Sequence, residues 1–204
     1  FCLNYDHRAA AAEVFEAHRT FGALLEASVD ARAGAAPTGG RAGPRDPAAR
    51  IRVGYMSPDL RSHAVATFFA PVLANHDRSA FEVFIYHTSP VTDDETRRLQ
   101  GMAEHWFGSR SLGEAELLAR IRADRLDILV ELSGLTSQNR LALMAQRPAP
   151  LQASFIGYPN TTGLTRIDHL IVDGVTDPPG AEALATERLA RLPGCLLCYS
   201  PPTE

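Results

Sequence analysis

Arg52-Val53-Gly54-Tyr55-Met56-Ser57-Pro58-Asp59-Leu60-Arg61-Ser62-His63 is the stretch on which the fold of this chain turns. Ile51 to Met56 reads as an apolar strand. Ser57-Pro58-Asp59 breaks it, because proline cannot donate to a sheet ladder and the residue before it is pushed out of helical geometry. Ala64-Val65-Ala66-Thr67-Phe68-Phe69-Ala70 then begins a helix that reaches about Asn75. A strand, a tight polar turn and a helix start are how a doubly wound α/β sheet presents a ligand site. The expected fold is therefore α/β, a Rossmann-like three-layer parallel sheet. His63 is expected at the carboxyl edge of its first strand, beside a helix N-terminus.

Downstream, strand and helix patterns alternate. Strands are expected at Phe81–Tyr86, His105–Phe107, Leu126–Leu132, Leu151–Ile156 and Ile167–Val172, with Glu187–Leu192 leading to the end. The near-continuous apolar run of Leu126–Leu132 suits a central strand covered on both faces. Helices are expected at Asp93–Ala103, with Asp93 or Asp94 as N-cap, at Gly113–Ala123, and at Asn139–Gln146. The last is stopped by Arg147-Pro148-Ala149-Pro150, which leads extended into the next strand. Right-handed β-α-β connections join these into one sheet. Upstream, Ala9 to Ala31 places Val14, Phe15, Ala17, Phe21, Leu24 and Leu25 at three-to-four spacing, an amphipathic helix. It must pack on the sheet domain or on a helical array before it. The chain thus divides into a helical segment at 1–31, a flexible Gly/Ala/Pro/Arg linker at 32–50, and the Rossmann-like lobe at 51–204.

Bulk properties narrow the function. The chain has 204 residues, 45% hydrophobic and 22% charged, with a net charge of −4. That leaves no basic footprint for nucleic acid. No apolar run approaches the roughly 20 residues of a membrane span, and Phe1 to Asp6 lacks the layout of a secretory signal. Three cysteines make a disulfide framework improbable and favour a reducing, cytoplasmic setting. Cys195 and Cys198 form a C-x-x-C, but no second pair stands at metal-site spacing. They read as small apolar residues in a strand over Leu192–Tyr199. The first residue is not methionine and the last form a proline turn, so the chain is expected to be a piece of a longer protein.

Three polar turns follow strands: Ser57 to His63, Ser133 to Arg140, and Gly157 to Gly163. In a parallel sheet all three lie on one edge, and that convergence is the argument for a site. His63 suits a neutral general base or a donor to an anionic ligand, or is a surface histidine capping a helix. Gly134 permits a tight turn, and Asn139 either caps the following helix or meets a polar ligand. Gly157-Tyr158-Pro159-Asn160-Thr161-Thr162-Gly163 suggests a rigid loop whose amides and hydroxyls face a polar ligand, or a plain turn. No Gly-Lys-Ser/Thr follows it, so it is not a P-loop, and the G-x-G-x-x-G spacing of a dinucleotide site is absent. Asp173, Asp177 and Glu182 read as solvated loop acids rather than a metal site.

Taken in order, these motifs resemble the protein O-linked N-acetylglucosamine transferase family, in its SPINDLY-like branch. The residues that carry the resemblance are Arg52 to Asp59 with His63, Asp127 to Gly134, Asn139-Arg140-Leu141, Arg147 to Gln152, Gly157 to Leu164, Asp177 to Gly180, Glu187-Arg188-Leu189 and Leu192-Pro193. Cys2-Leu3-Asn4-Tyr5-Asp6 and its helix look like the junction with upstream tetratricopeptide repeats. The resemblance implies one lobe of a two-lobe (GT-B type) catalytic region, with the C-terminal lobe absent. It implies an inverting, metal-independent transferase without a cofactor, whose substrates are a nucleotide sugar and protein Ser/Thr hydroxyls. His63 matches the first-lobe histidine that lines the donor site, and Ile156, Gly157 and Pro159 match a loop touching the donor sugar. Thr161, Thr162, Gly134 and Asn139 join them as candidate donor or acceptor contacts. No lysine stands ready for the phosphates, a role left to the other lobe.

This sequence departs from the family pattern at three positions. Leu135 stands where the bacterial branch usually has histidine, Glu131 where aspartate is usual, and Ser137 where animal-type enzymes carry lysine. The donor remains open between UDP-N-acetylglucosamine and GDP-fucose. A catalytically silent, protein-binding module is the rival of another class.

Overall fold

The computed structural model describes residues 2–33, 48–108 and 113–201; positions 34–47 of the expected linker lie outside them. After a 3-10 turn at Cys2–Tyr5, α1 spans Ala11–Ala33. The domain proper runs β1 (Ile51–Ser57), α2 (Ala64–Ala74), β2 (Phe81–His87), α3 (Asp94–Met102), β3 (His105–Gly108) and α4 (Glu114–Asp124). It continues through β4 (Ile128–Glu131), α5 (Leu141–Met144), β5 (Leu151–Phe155), β6 (His169–Asp173), a 3-10 turn at Ala181–Leu184, and β7 (Arg188–Leu192).

The strands form one seven-stranded sheet in the order β3-β2-β1-β4-β5-β6-β7. Every pairing is parallel. Alternation of side chains along each strand builds the three layers. Val53, Tyr55, Val83 and Ile85 point to one face and pack with Phe69 and Leu73 of α2 and Leu99 of α3. Met56, Phe84, Tyr86 and Leu129 point to the other and pack with Leu117 and Ile121 of α4 and Leu141 and Met144 of α5. The strand order reverses between β1 and β4, so the crevice at their carboxyl ends is the topological switch point where open α/β sheets bind ligands.

α1 packs on this domain, the first of the two expected options, but with a different face. Val14, His18, Glu26 and Val29 are buried, whereas Phe21 and Leu24 are 41% and 68% exposed. The docking face is mixed: Val29 and Leu25 pack on the apolar core, while His18 and Glu26 hydrogen-bond side chains and backbone of the loop after β5. The expected Asn139–Gln146 helix is one turn, and the strand expected over Leu126–Leu132 contracts to Ile128–Glu131. Glu187–Leu192 resolves into β7, an edge strand. The strand expected over Leu192–Tyr199 does not form beyond Leu192, and Cys195 and Cys198 are free and exposed on the following loop. Among the described residues no helix is long and apolar enough to cross a membrane.

Candidate active site at the carboxyl edge

The first turn is set by short-range hydrogen bonds. Ser57 Oγ accepts from the Asp59 backbone N–H at 3.0 Å, curling the chain as it leaves β1. His63 is the N-cap of α2, and its Nδ1 accepts from the Val65 N–H at 3.2 Å. A ring nitrogen that accepts from an N–H carries no proton, so in the neutral ring the proton sits on Nε2. Nε2 lies 3.9 Å from Asp59 Oδ1, and the side chain is 39% exposed. Of the roles expected for His63, helix capping is met by Nδ1, and this tautomer puts on Nε2 the proton that a donor to an anionic ligand needs. Ser62 N–H donates to Asp93 Oδ2 at 2.8 Å, tying the turn to the start of α3. Asp93 also caps α3, and the backbone N–H groups of Ser62 and Thr96 hold its carboxyl down at about 2.

The second turn is organised from beneath by Glu131, which is 2% exposed. Its Oε2 accepts the backbone N–H groups of Ser133 at 2.9 Å and Gly134 at 2.8 Å, and its Oε1 accepts the Ser154 hydroxyl of neighbouring β5. Burial raises its carboxyl above the usual carboxylate range, against the pull of these three donors. Gly134 has φ +51, and a Cβ there would overlap the Tyr158 ring. Ser133 Oγ reaches Ser57 Oγ at 3.4 Å, so the β1 and β4 turns touch at the switch point. Asn139 is used at both ends of its amide: Nδ2 donates to the Thr136 carbonyl at 2.8 Å, and Oδ1 accepts from Leu141 N–H at 3.2 Å. It builds the turn from one position before the N-cap, which is Arg140 rather than the expected Asn139.

The third loop begins with a backbone outlier. Ile156 has φ +66, a conformation that a β-branched residue adopts only under constraint and that clusters at ligand sites. Gly157 follows because a Cβ there would overlap the Leu132 carbonyl. Tyr158 is buried and Pro159 exposed. Thr161 and Thr162 are buried, and their hydroxyls do not face the opening. Both donate to the Glu187 carboxylate, Thr161 at 2.5 Å, and the Thr162 backbone N–H adds a third bond at 2.8 Å. The hydroxyls expected to meet a polar ligand thus hold the loop to the strand behind it.

The edge therefore brings the Ser133–Gly134 and Ile156–Pro159 segments into contact, with His63 across β1 from them. His63 lines a groove of about 580 Å³ shared with Thr67, Arg98 and Tyr199. Asn139 lines a cavity of about 310 Å³ with Leu135, His18, Phe21 and Leu3. Three residues matter more here than the sequence reading allowed. Asp59 supplies the carboxylate facing His63, Glu131 anchors the second turn, and Glu187 anchors the third loop. A charged residue inside an otherwise apolar strand was the available signal for Glu131. Nothing local marked Glu187, whose partners lie 25 and 26 positions away.

Asp173 is not a solvated loop acid. It is 3% exposed, and the N–H groups of Thr176, Leu196 and Val175 hold its carboxyl at about 2. Glu82, Glu104 and His105 are grouped closely enough to hold a cation. They sit at the opposite, amino edge, where Arg52 and Arg50 pair with the two carboxylates at 3.0 and 2.7 Å.

A single parallel sheet with its polar turns gathered at one edge defines an open, Rossmann-like α/β lobe. Residues 42–198 match Glycosyl transferase family 41, and the chain belongs to that family. It is 40% identical over 164 residues to a protein of Arabidopsis thaliana named probable UDP-N-acetylglucosamine–peptide N-acetylglucosaminyltransferase SPINDLY. That alignment covers 78% of this chain and 18% of the plant protein. A similarly named protein of Caenorhabditis elegans is 35% identical over 147 residues, 71% of this chain and 13% of its own. Among solved structures, a lysine-to-methionine mutant of Thermobaculum terrenum O-GlcNAc transferase superposes with a TM-score of 0.79 at 38% identity. It matches 91% of this chain, which spans 36% of that one.

Proposed function

We propose that this chain is the first lobe of an inverting protein O-glycosyltransferase that moves N-acetylglucosamine from UDP-N-acetylglucosamine to Ser or Thr hydroxyls. The observation that carries the reading is His63 on the turn after β1 of a family 41 lobe, exposed, with Nδ1 held by the helix and the Nε2 proton left for a ligand. In the transfer, the acceptor oxygen forms a bond to the anomeric carbon from the face opposite the diphosphate. The bond from that carbon to the leaving oxygen breaks, its electron pair staying on the diphosphate, and the hydroxyl proton passes to a base. Charge spreads over the sugar in the transition state as it does in glycoside hydrolysis. His63 donates from Nε2 toward the anionic donor, and the strained Ile156–Pro159 backbone shapes the sugar pocket. Diphosphate contacts come largely from a second lobe, tetratricopeptide repeats stand upstream, and the reaction needs no metal. The setting is cytoplasmic.

The test offers the full-length protein UDP-N-acetylglucosamine and GDP-fucose separately, with a Ser/Thr-rich acceptor read by intact mass. Addition of one N-acetylhexosamine is expected. Addition of a deoxyhexose from GDP-fucose alone would transfer the reading to the fucosyl branch. No addition from either donor by a folded protein would overturn it.

A further inference from the structure

α1 does more than lie on the sheet. His18, 3% exposed, reaches Tyr158 in the third loop: its Nε2 is 2.6 Å from the Tyr158 hydroxyl, and its Nδ1 is 2.6 Å from the Val14 carbonyl. A carbonyl only accepts, so Nδ1 carries the proton. In the neutral ring Nε2 then accepts from the Tyr158 O–H. That leaves the tyrosine oxygen free to accept from Asn4 Nδ2, 2.7 Å away. Every donor in this chain meets an acceptor.

The surrounding contacts point the same way. Asn160 Nδ2 donates to Asn4 Oδ1 at 3.0 Å. The helix and loop backbones touch, for a Cβ on Gly22 would overlap the Gly163 carbonyl. One turn further along, Glu26 accepts the Thr165 hydroxyl at 2.7 Å and the Arg166 N–H at 3.0 Å. Tyr158 stands between Gly157 and Pro159, and its ring lies against Gly134 of the second turn. A displacement of Tyr158 must therefore move both segments of the edge.

We infer that His18 is a positioning residue for the donor-sugar loop, acting through the Tyr158 hydroxyl, so that the N-terminal helix belongs to the donor site. The inference rests on the donor-loop reading proposed above. Its test uses the full-length protein. Tyr158→Phe, which keeps the ring but removes the hydroxyl, and His18→Leu should each lower kcat/KM for the nucleotide sugar about tenfold. The loss should appear in the donor KM, with the acceptor KM unchanged. His18→Gln, whose amide oxygen accepts from the tyrosine, should stay within about twofold of wild type. The double variant His18→Leu/Tyr158→Phe should be no worse than either single one, because both remove the same link. Additive losses, or a Gln variant as impaired as the Leu variant, overturn the inference. So do unchanged kinetic constants in Tyr158→Phe.

Amide hydrogen exchange gives a readout independent of activity. Gly157, Thr161 and Thr162 should exchange faster in Tyr158→Phe than in wild type, with the strands unaffected. Unaltered exchange there overturns the positioning role. Should the wild-type protein transfer no sugar at all, the functional proposal fails, and the exchange measurement alone decides this one.

Discussion

Two regions of the same edge are built on opposite plans. Around the β5 loop, hydroxyls and amides are consumed internally: Thr161 and Thr162 by Glu187, Ser133, Gly134 and Ser154 by Glu131. Around the β1 turn, His63 uses one ring nitrogen to cap a helix and keeps the other 3.9 Å from Asp59 Oδ1, beyond hydrogen-bond reach. The first region spends these groups on its own scaffold, because a buried polar group left unpaired is costly. The second keeps a group in reserve. Residue type alone does not separate a ligand contact from a scaffold contact; whether its hydrogen-bonding capacity is already used does.

The sharpest way to break this contrast is to remove an internal anchor. Glu187→Ala leaves two hydroxyls and a backbone N–H without their acceptor and should destabilise the fold by about 3–5 kcal/mol. A urea midpoint within the equivalent of about 1 kcal/mol of wild type would refute the scaffold role of the two threonines. Glu131→Ala should cost about 3 kcal/mol for the same reason, while Glu131→Gln, which still accepts the two N–H groups, should cost under about 1 kcal/mol. Equal losses in the two Glu131 variants would show that shape rather than hydrogen bonding matters there. His63→Ala should reverse the pattern. Transfer by the full-length protein should fall at least about tenfold, with only about 1 kcal/mol of stability lost with the helix cap. Unchanged turnover would remove His63 from the site.

Acid should act on the scaffold before it acts elsewhere. Asp93 and Asp173 fall from 3.8 to about 2 on folding. A carboxyl depressed in the folded state adds stability above its unfolded value and loses it as pH falls toward its folded value. Thermal melts should therefore be insensitive to these groups above 3.8 and drop as pH falls from there to about 2. Asp173→Asn should flatten part of that drop; an identical acid profile in the variant would count against the assignment. Smallest of all, Cys195→Ser and Cys198→Ser, both on an exposed loop, should change stability by under about 0.5 kcal/mol in a thermal melt.

Much of this was legible beforehand because local rules agree with the global fold. The apolar run before Ser57-Pro58, the Asp93 cap and the strand–helix alternation each report short-range physics. So did the convergence of the three turns, which follows from parallel topology. What escaped was long-range pairing. The spacing in α1 promised burial of Phe21 and Leu24 beside Val14 and Leu25, yet the face is rotated to include His18, Gly22 and Glu26, which meet a loop far away in sequence. The C-x-x-C looked like strand because Leu192 to Tyr199 is apolar, but no neighbouring strand extends to pair with it. Glu187 serves donors 25 and 26 positions away, and Glu131 takes one of its three, Ser154, from 23 positions away, which no short window of sequence places beside them.

The docking of α1 also has a timetable. Glu26 bonds Thr165 and Arg166 across 139 and 140 positions of sequence. At roughly 5–20 residues per second, a ribosome needs about 7–28 s to make the intervening chain. The helix leaves the exit tunnel before the sheet and finds its seat only after β5 and its loop have been synthesised. Until then water satisfies the polar groups of its docking face, His18 and Glu26, while Val29 waits for its place in the core. The polar contacts thus add selectivity to the seat that an early-born helix finally takes.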